Sequence, residues 1–243
     1  MRKLTKSILK RANLLSAAQA YSADYRLTVR KLRGVDEKIT KEYLAINKEH
    51  PKLHIGCGHH LLGSWLNTDY LPVAAEVRHL DATGIFPFED NTFQYIYSEH
   101  MIEHVPYPGG RIMLKECFRV LKEGGRIRIS TPDLDFLVRL YRNNPSPLEK
   151  DYLQWATSQF APASAPSGCP SFVINNLFYG FGHRFIYDGK TLKASLKQAG
   201  FSGIERCSIG NSKCRYFQGL DNTTKMPPGF LELESLIFEA QKA

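Results

Sequence analysis

From Pro51 onward, short apolar runs alternate with helical periodicity, and each run ends on residues better suited to a ligand than to a sheet interior. Leu53-His54-Ile55 stops at the turn Gly56-Cys57-Gly58, and Trp65 to Thr68 stops at Asp69. Glu76 to Leu80 stops at Asp81, and Phe93 to Ser98 runs into Glu99-His100. A helix predicted over about 110–121 is closed by Gly124-Gly125, and Arg126 to Ser130 reads as the next strand. Strands alternating with helices imply a mainly parallel sheet with right-handed crossovers. Such sheets bind ligands beyond the carboxyl ends of their strands, where these residues fall.

The rest of the chain frames that block. Leu4, Ile8, Ala12 and Leu15 recur at helical spacing, and a second helix is predicted over about 36–47. Residues 1–34 carry nine basic side chains against one acid, which accounts for the whole net charge of +8, so the body from residue 35 onward is neutral. The division expected is a basic helical arm over 1–50 and one catalytic domain over 51–243, with an insertion around 144–187. Within that insertion the stretch APASAPSGCP (161–170) reads as a surface loop. A helix over 188–199 ends at Gly200, and 201–209 and 233–240 read as closing strands. The five cysteines contain no C-x-x-C pair, which fits a reducing cytoplasm, and no run approaches the ~18 apolar residues of a membrane span.

Each strand end suggests its own chemistry. Gly56 and Gly58, with Cys57 between them, let the backbone turn sharply and approach a ligand, since glycine has no Cβ. Asp69 is placed to accept hydrogen bonds from a ribose diol, and Asp81 from an adenine amino group. Ser98-Glu99-His100 face the middle of the cleft. Any one of these is weak alone; four fitting residues at four consecutive strand ends are informative.

The order LHIGCG, WLNTD, LDATGIFPFEDNTFQYIYSEHMIEH and LKEGGRIRISTPD resembles the class I S-adenosylmethionine (SAM)-dependent methyltransferases, within the broad methyltransferase type 11 group. The resemblance covers Pro51 to Asp133 firmly and continues loosely through HRFIYDGKTLKASLKQAGF. It implies an α/β, Rossmann-like fold with a mainly parallel seven-stranded sheet, helices on both faces and an antiparallel C-terminal strand. It implies SAM as cofactor, with Gly56, Cys57 and Gly58 at its methionine and ribose part, Asp69 at the ribose, Asp81 by the adenine, and Ser98 and His100 under the sulfonium. The sequence departs from the pattern where only eleven positions separate Gly58 from Asp69, so the first crossover helix must be very short or replaced by a loop.

Rival readings meet specific obstacles. A dinucleotide fingerprint needs a third glycine where Leu61 stands. In E-H-x-x-E-H (99–104) the two histidines share a helical face, but no third ligand is evident, and no metal is expected. A nucleic-acid methyltransferase using the basic arm lacks the D/N-P-P-Y/F motif after the fourth strand, and the neutral body makes a poor phosphate-tracking surface. A non-catalytic SAM-binding or scaffold subunit is a further alternative. The expected acceptor is an oxygen, less readily a nitrogen, of a sugar, glycan or small molecule; the glycan rests on the resemblance alone. An alcohol acceptor needs a base. The candidates are His183 first, then His100, Glu99 and Asp133, with the aromatic segment 172–187 covering the acceptor. The amphipathic basic arm suggests peripheral contact with an anionic membrane face or an acidic partner. The oligomeric state is open.

Overall fold

The structure is a computed structural model that describes residues 21–243 apart from 23, 143, 222, 223 and 225. The helix predicted from Leu4 to Leu15 lies outside the described residues. Seven strands form one sheet in the order β3-β2-β1-β4-β5-β7-β6. They are β1 (Lys52–Ile55), β2 (Leu66–Asp69), β3 (Arg78–His79), β4 (Phe93–Glu99), β5 (Leu121–Pro132), β6 (Ser202–Arg206) and β7 (Ser235–Gln241). Strands β1 to β5 pair in parallel, and β7 inserts antiparallel between β5 and β6. This is the Rossmann-like architecture that the resemblance implied.

One connection takes a form the spacing allowed, and two strands differ from their expected bounds. The link from β1 to β2 is a loop, as the short spacing allowed. The buried Asn67 amide holds it, accepting from the Leu62 N–H at 2.9 Å and donating to the Leu62 and Trp65 carbonyls at 3.0 and 3.3 Å. Strand β3 shrinks from the expected five residues to Arg78–His79. Strand β5 starts five residues earlier than expected, at Leu121. Its early part pairs across the sheet: Gly124 N–H donates to the Lys242 carbonyl, and Lys242 N–H to that of Gly125, each at 2.9 Å.

One sheet face builds the main core, because alternate strand residues point to the same side. Leu53, Ile55, Ile96, Ile127, Ile129 and Phe238 pack there with Met113, Leu114 and Cys117 of the helix Tyr107–Val120 and with Leu192 and Leu196 of Gly189–Ala199. The helix Val35–Ile46, placed in the arm from sequence, also leans on this core through Ile39, Tyr43 and Leu44. Trp65, Tyr97 and Phe217 form a smaller aromatic cluster, and Tyr97 follows Ile96 and so points to the opposite face. Beyond the end of β5 the chain forms helices at Leu134–Arg142, Pro147–Phe160 and Pro170–Asn175. Pro147–Phe160 begins with a complete capping box between Ser146 and Glu149. With Phe230–Glu234 these helices enclose a second apolar cluster of Phe136, Leu140, Tyr152, Leu153, Val173 and Phe230. These helices therefore form a cap with its own core, seated where the parallel strands end.

Candidate active site

Two cavities adjoin at the carboxyl ends of the strands. The larger, about 610 Å³, is lined by Gly56, Gly58, Asp69, Tyr70, Leu80, Asp81, Ala82, Thr83, Met101 and Val105. The smaller, about 300 Å³, lies under the helical cap and is lined by Tyr152, Trp155, Phe160, Phe181, His183, Met226 and Glu234, among others. His100 and His104 line both cavities.

The glycine turn explains the shape of the larger cleft. Gly56 has φ +70°, and a Cβ there would overlap the Met101 side chain. Gly58 has φ +48° and nothing within 4 Å of a Cβ position, so the space a side chain would fill stays open. Asp69 ties this turn to the end of β2. Its Oδ2 accepts from the Gly58 N–H and its Oδ1 from the Leu71 N–H, both at 2.9 Å. Each oxygen has two lone-pair sites, so one per oxygen remains for a ligand. Asp81 Oδ1 accepts from the N–H and hydroxyl of Thr83 at 2.9 and 2.7 Å. A backbone open at Gly58, a carboxylate at Asp69 and an apolar slot of Leu80 and Ala82 beside Asp81 suit a ribose-linked adenine, and the volume is that of a cofactor site.

Other sequence candidates fall elsewhere. Cys57 is buried, and burial followed by the Asp69 charge pushes its thiol up to about 12, so it remains a protonated, inert part of the turn. Ser98 is fully buried inside β4, and Ser98 and Glu99 line neither cavity. Glu99 meets His60 Nδ1 at 3.2 Å. Asp133 is buried in an ion pair with Arg206 at 2.8 Å. In the aromatic segment 172–187, Phe181 and not Phe172 or Tyr187 lines the capped pocket; Tyr187 is in the main core. The main aromatic walls come instead from Tyr152, Trp155 and Phe160, which ordinary helical periodicity had disguised.

His100 and His183 differ in chemistry. His100 adopts φ +49°, a left-handed conformation uncommon outside glycine, at the end of β4. Its Nε2 lies 3.1 Å from Ser235 Oγ and its Nδ1 3.4 Å from Glu103 Oε1, an ion-pair distance without hydrogen-bond geometry. Burial alone would push this imidazole down, but Glu103, then Glu234 and Glu99, outweigh it, and the net shift is upward. His183 is shifted downward, chiefly by burial, which exceeds the opposing pull of the Glu103 charge. Its Nδ1–H donates to the Leu177 carbonyl, which leaves the Nε2 lone pair available. Glu234, buried and hydrogen-bonded by the Tyr152 hydroxyl, is shifted upward by burial first.

Residues 30–206 match a family model described as a methyltransferase domain. No curated protein matches the chain. Among solved structures, a SAM-dependent methyltransferase from Thermotoga maritima, described as a possible histamine N-methyltransferase, aligns at 17% identity over 91% of this chain and 98% of its own, with a TM-score of 0.46. A SAM-dependent methyltransferase from Archaeoglobus fulgidus aligns at 16% identity over 90% and 99%, with a TM-score of 0.47. Phosphoethanolamine N-methyltransferase 2 of Haemonchus contortus aligns at 17% identity over 83% and 52%, with a TM-score of 0.43.

Proposed function

The chain belongs to the methyltransferase-domain family, and from that premise we propose that it methylates a hydroxyl of an uncharged ring such as a sugar, with SAM as donor. One observation carries this reading: a cofactor-sized cleft and a capped aromatic pocket meet at two shared imidazoles, His100 and His104. Bound SAM supplies an electrophilic methyl group. Gly58 and Asp69 hold its ribose end, and Leu80, Asp81 and Ala82 its base. The capped pocket keeps water from the acceptor and fixes its approach, and orientation of this kind lowers a bimolecular barrier by ~7–11 kcal/mol. Among the described residues lining it there is no lysine or arginine, while Glu103 and Glu234 do line it, which favours an uncharged acceptor over a phosphate or carboxylate. Its aromatic walls suit the apolar face of a ring, and its size suits a single ring or small molecule. His183 activates the acceptor: it combines a place in this pocket with a neutral imidazole and an available nitrogen. His100 is held toward its charged form, and Glu99 is turned to His60.

Calorimetry with S-adenosylhomocysteine tests the cofactor half. The wild type binds, and Asp69→Ala loses a charge-assisted interaction of about 1.5–3 kcal/mol, roughly 10- to 100-fold in affinity. Asp69→Asn, which keeps the shape and one acceptor oxygen, loses less. Absence of binding to the wild type overturns the assignment.

A further inference from the structure

The available nitrogen of His183 has company. Glu103, His104 and His183 each offer one ligand atom, and the three atoms lie within 4.8 Å of one another. The two imidazoles stand edge-to-face with ring centroids 4.8 Å apart. His104 and His183 are 79 positions apart in the sequence, and the backbone closes that distance directly: the Arg184 and Phe185 N–H groups donate to the Glu103 carbonyl at 2.7 and 3.1 Å. A loop of the cap is thus fastened to the turn that carries the other two groups.

An independent sign is the state of Glu103. Its side chain is completely buried, yet Oε1 has no hydrogen-bond partner, and it lines the capped pocket. Its ionic neighbour, His100 Nδ1 at 3.4 Å, lacks hydrogen-bond geometry, and a buried carboxylate oxygen without a hydrogen bond costs free energy that a ligated cation would offset. The other oxygen accepts from Thr131 Oγ at 3.1 Å, and the Nδ1–H of His183 is held by the Leu177 carbonyl. These are the outer-shell bonds that orient a ligating carboxylate and fix a histidine tautomer.

We propose that Glu103, His104 and His183 bind a divalent cation of the zinc type at the junction of the two cavities, and that the acceptor oxygen takes its open position. Two imidazoles and one carboxylate form a ligand set of catalytic zinc, which keeps a further position for water or substrate. Exposed His104 turns in to complete it. The ion would neutralise the buried carboxylate and acidify a coordinated hydroxyl. That hydroxyl would release its proton to solvent and form the O–CH3 bond as the S–CH3 bond of SAM breaks to leave S-adenosylhomocysteine. His183 thus activates the acceptor as a ligand rather than as a base. Ion binding stands by itself; only the use of the ion rests on the methyl-transfer reading.

The test is calorimetry with Zn²⁺ on chelator-treated full-length protein, alongside Co²⁺ absorption spectra and, separately, S-adenosylhomocysteine binding. The expected result is one ion per chain, with affinity down at least ~100-fold in His183→Gln and in His104→Gln. Thr131→Val, which removes a positioning residue, costs ~10-fold or more. S-adenosylhomocysteine binding of His183→Gln stays at the wild-type level, which shows that the variant folds. No ion bound by the wild type, or ion binding at the wild-type level in both histidine variants, overturns the site. A wild type that binds the ion but not S-adenosylhomocysteine overturns the methyl-transfer reading and leaves the metal site standing.

Discussion

At the scale of single residues, the active-site histidines separate by what surrounds them rather than by what they are. His100 and His183 both border the capped pocket, but His100 has carboxylates at Glu103, Glu234 and Glu99 near it, which favour its charged form. For His183 burial dominates and favours the neutral ring. A neutral ring is what ligation or proton abstraction needs. His183→Gln therefore reduces turnover ~100-fold or more once an acceptor is in hand, with cofactor affinity unchanged. Steady-state kinetics with a panel of sugars and small alcohols checks this, and near-normal turnover moves the role away from His183. Gln retains a polar side chain of similar reach, so the loss reports the imidazole and not a cavity.

At the scale of elements, the face of the sheet that carries Tyr97 depends on one buried cation. Arg128 in β5 is completely buried and pairs with Asp221 and, at 2.6 Å, with Glu239 of β7. It also donates to the carbonyls of Ser208 and Asn211, both at 3.0 Å, while Asp221 accepts from Tyr97 Oη at 3.2 Å and from the Gly210 N–H at 2.6 Å. One side chain thus joins two strands to the 208–221 segment. Removing it leaves the buried Asp221 without its counter-charge and Glu239 with only Arg126 at 3.6 Å, and breaking a buried pair in this way costs about 3–5 kcal/mol. Arg128→Leu is expected to lower the unfolding free energy by that amount, read in urea as a lower midpoint at an unchanged slope. A loss below 1 kcal/mol would show that the carboxylates find other partners or protonate.

At the scale of the whole molecule, the basic N-terminal region is not simply appended to the domain. Arg30 donates to the Val77 carbonyl and to Asp36 Oδ1, each at 2.7 Å, and the same Asp36 oxygen accepts from the His79 N–H at 2.9 Å. These bonds connect the basic region to the helix Val35–Ile46 and to the edge strand β3, beside the cofactor cleft. Deleting residues 1–34 therefore leaves a folded, cofactor-binding protein that is less stable by about 1.5–3 kcal/mol, the value of hydrogen bonds to a charged group. Chemical denaturation of the two forms measures the difference. Equal stability would make the region a true appendage, as the sequence division at residue 50 has it.

The sequence by itself determined what depends on neighbours along the chain. The period-two runs, the glycine turn at Gly56 and Gly58, and the carboxylates Asp69 and Asp81 are local features. Each lies at a strand end, and parallel topology gathers strand ends on one side, so the larger cleft was legible before any coordinates. The eleven-position spacing likewise announced the loop between β1 and β2, though not that Asn67 would hold it. Ser98 and Glu99 were misplaced into the cleft because alternation along a strand gives two faces and does not say which one a ligand uses. Only the tertiary structure decided the acceptor side. Its walls come from a helix at Pro147–Phe160, its polar groups from Glu103, His104, His183 and Glu234, and no periodicity relates them. Their assembly depends on hydrogen bonds between distant segments, such as Glu103 to Arg184 and Phe185, and on a helical cap whose core forms only when those segments meet. Contacts of that kind leave no spacing in the sequence to read.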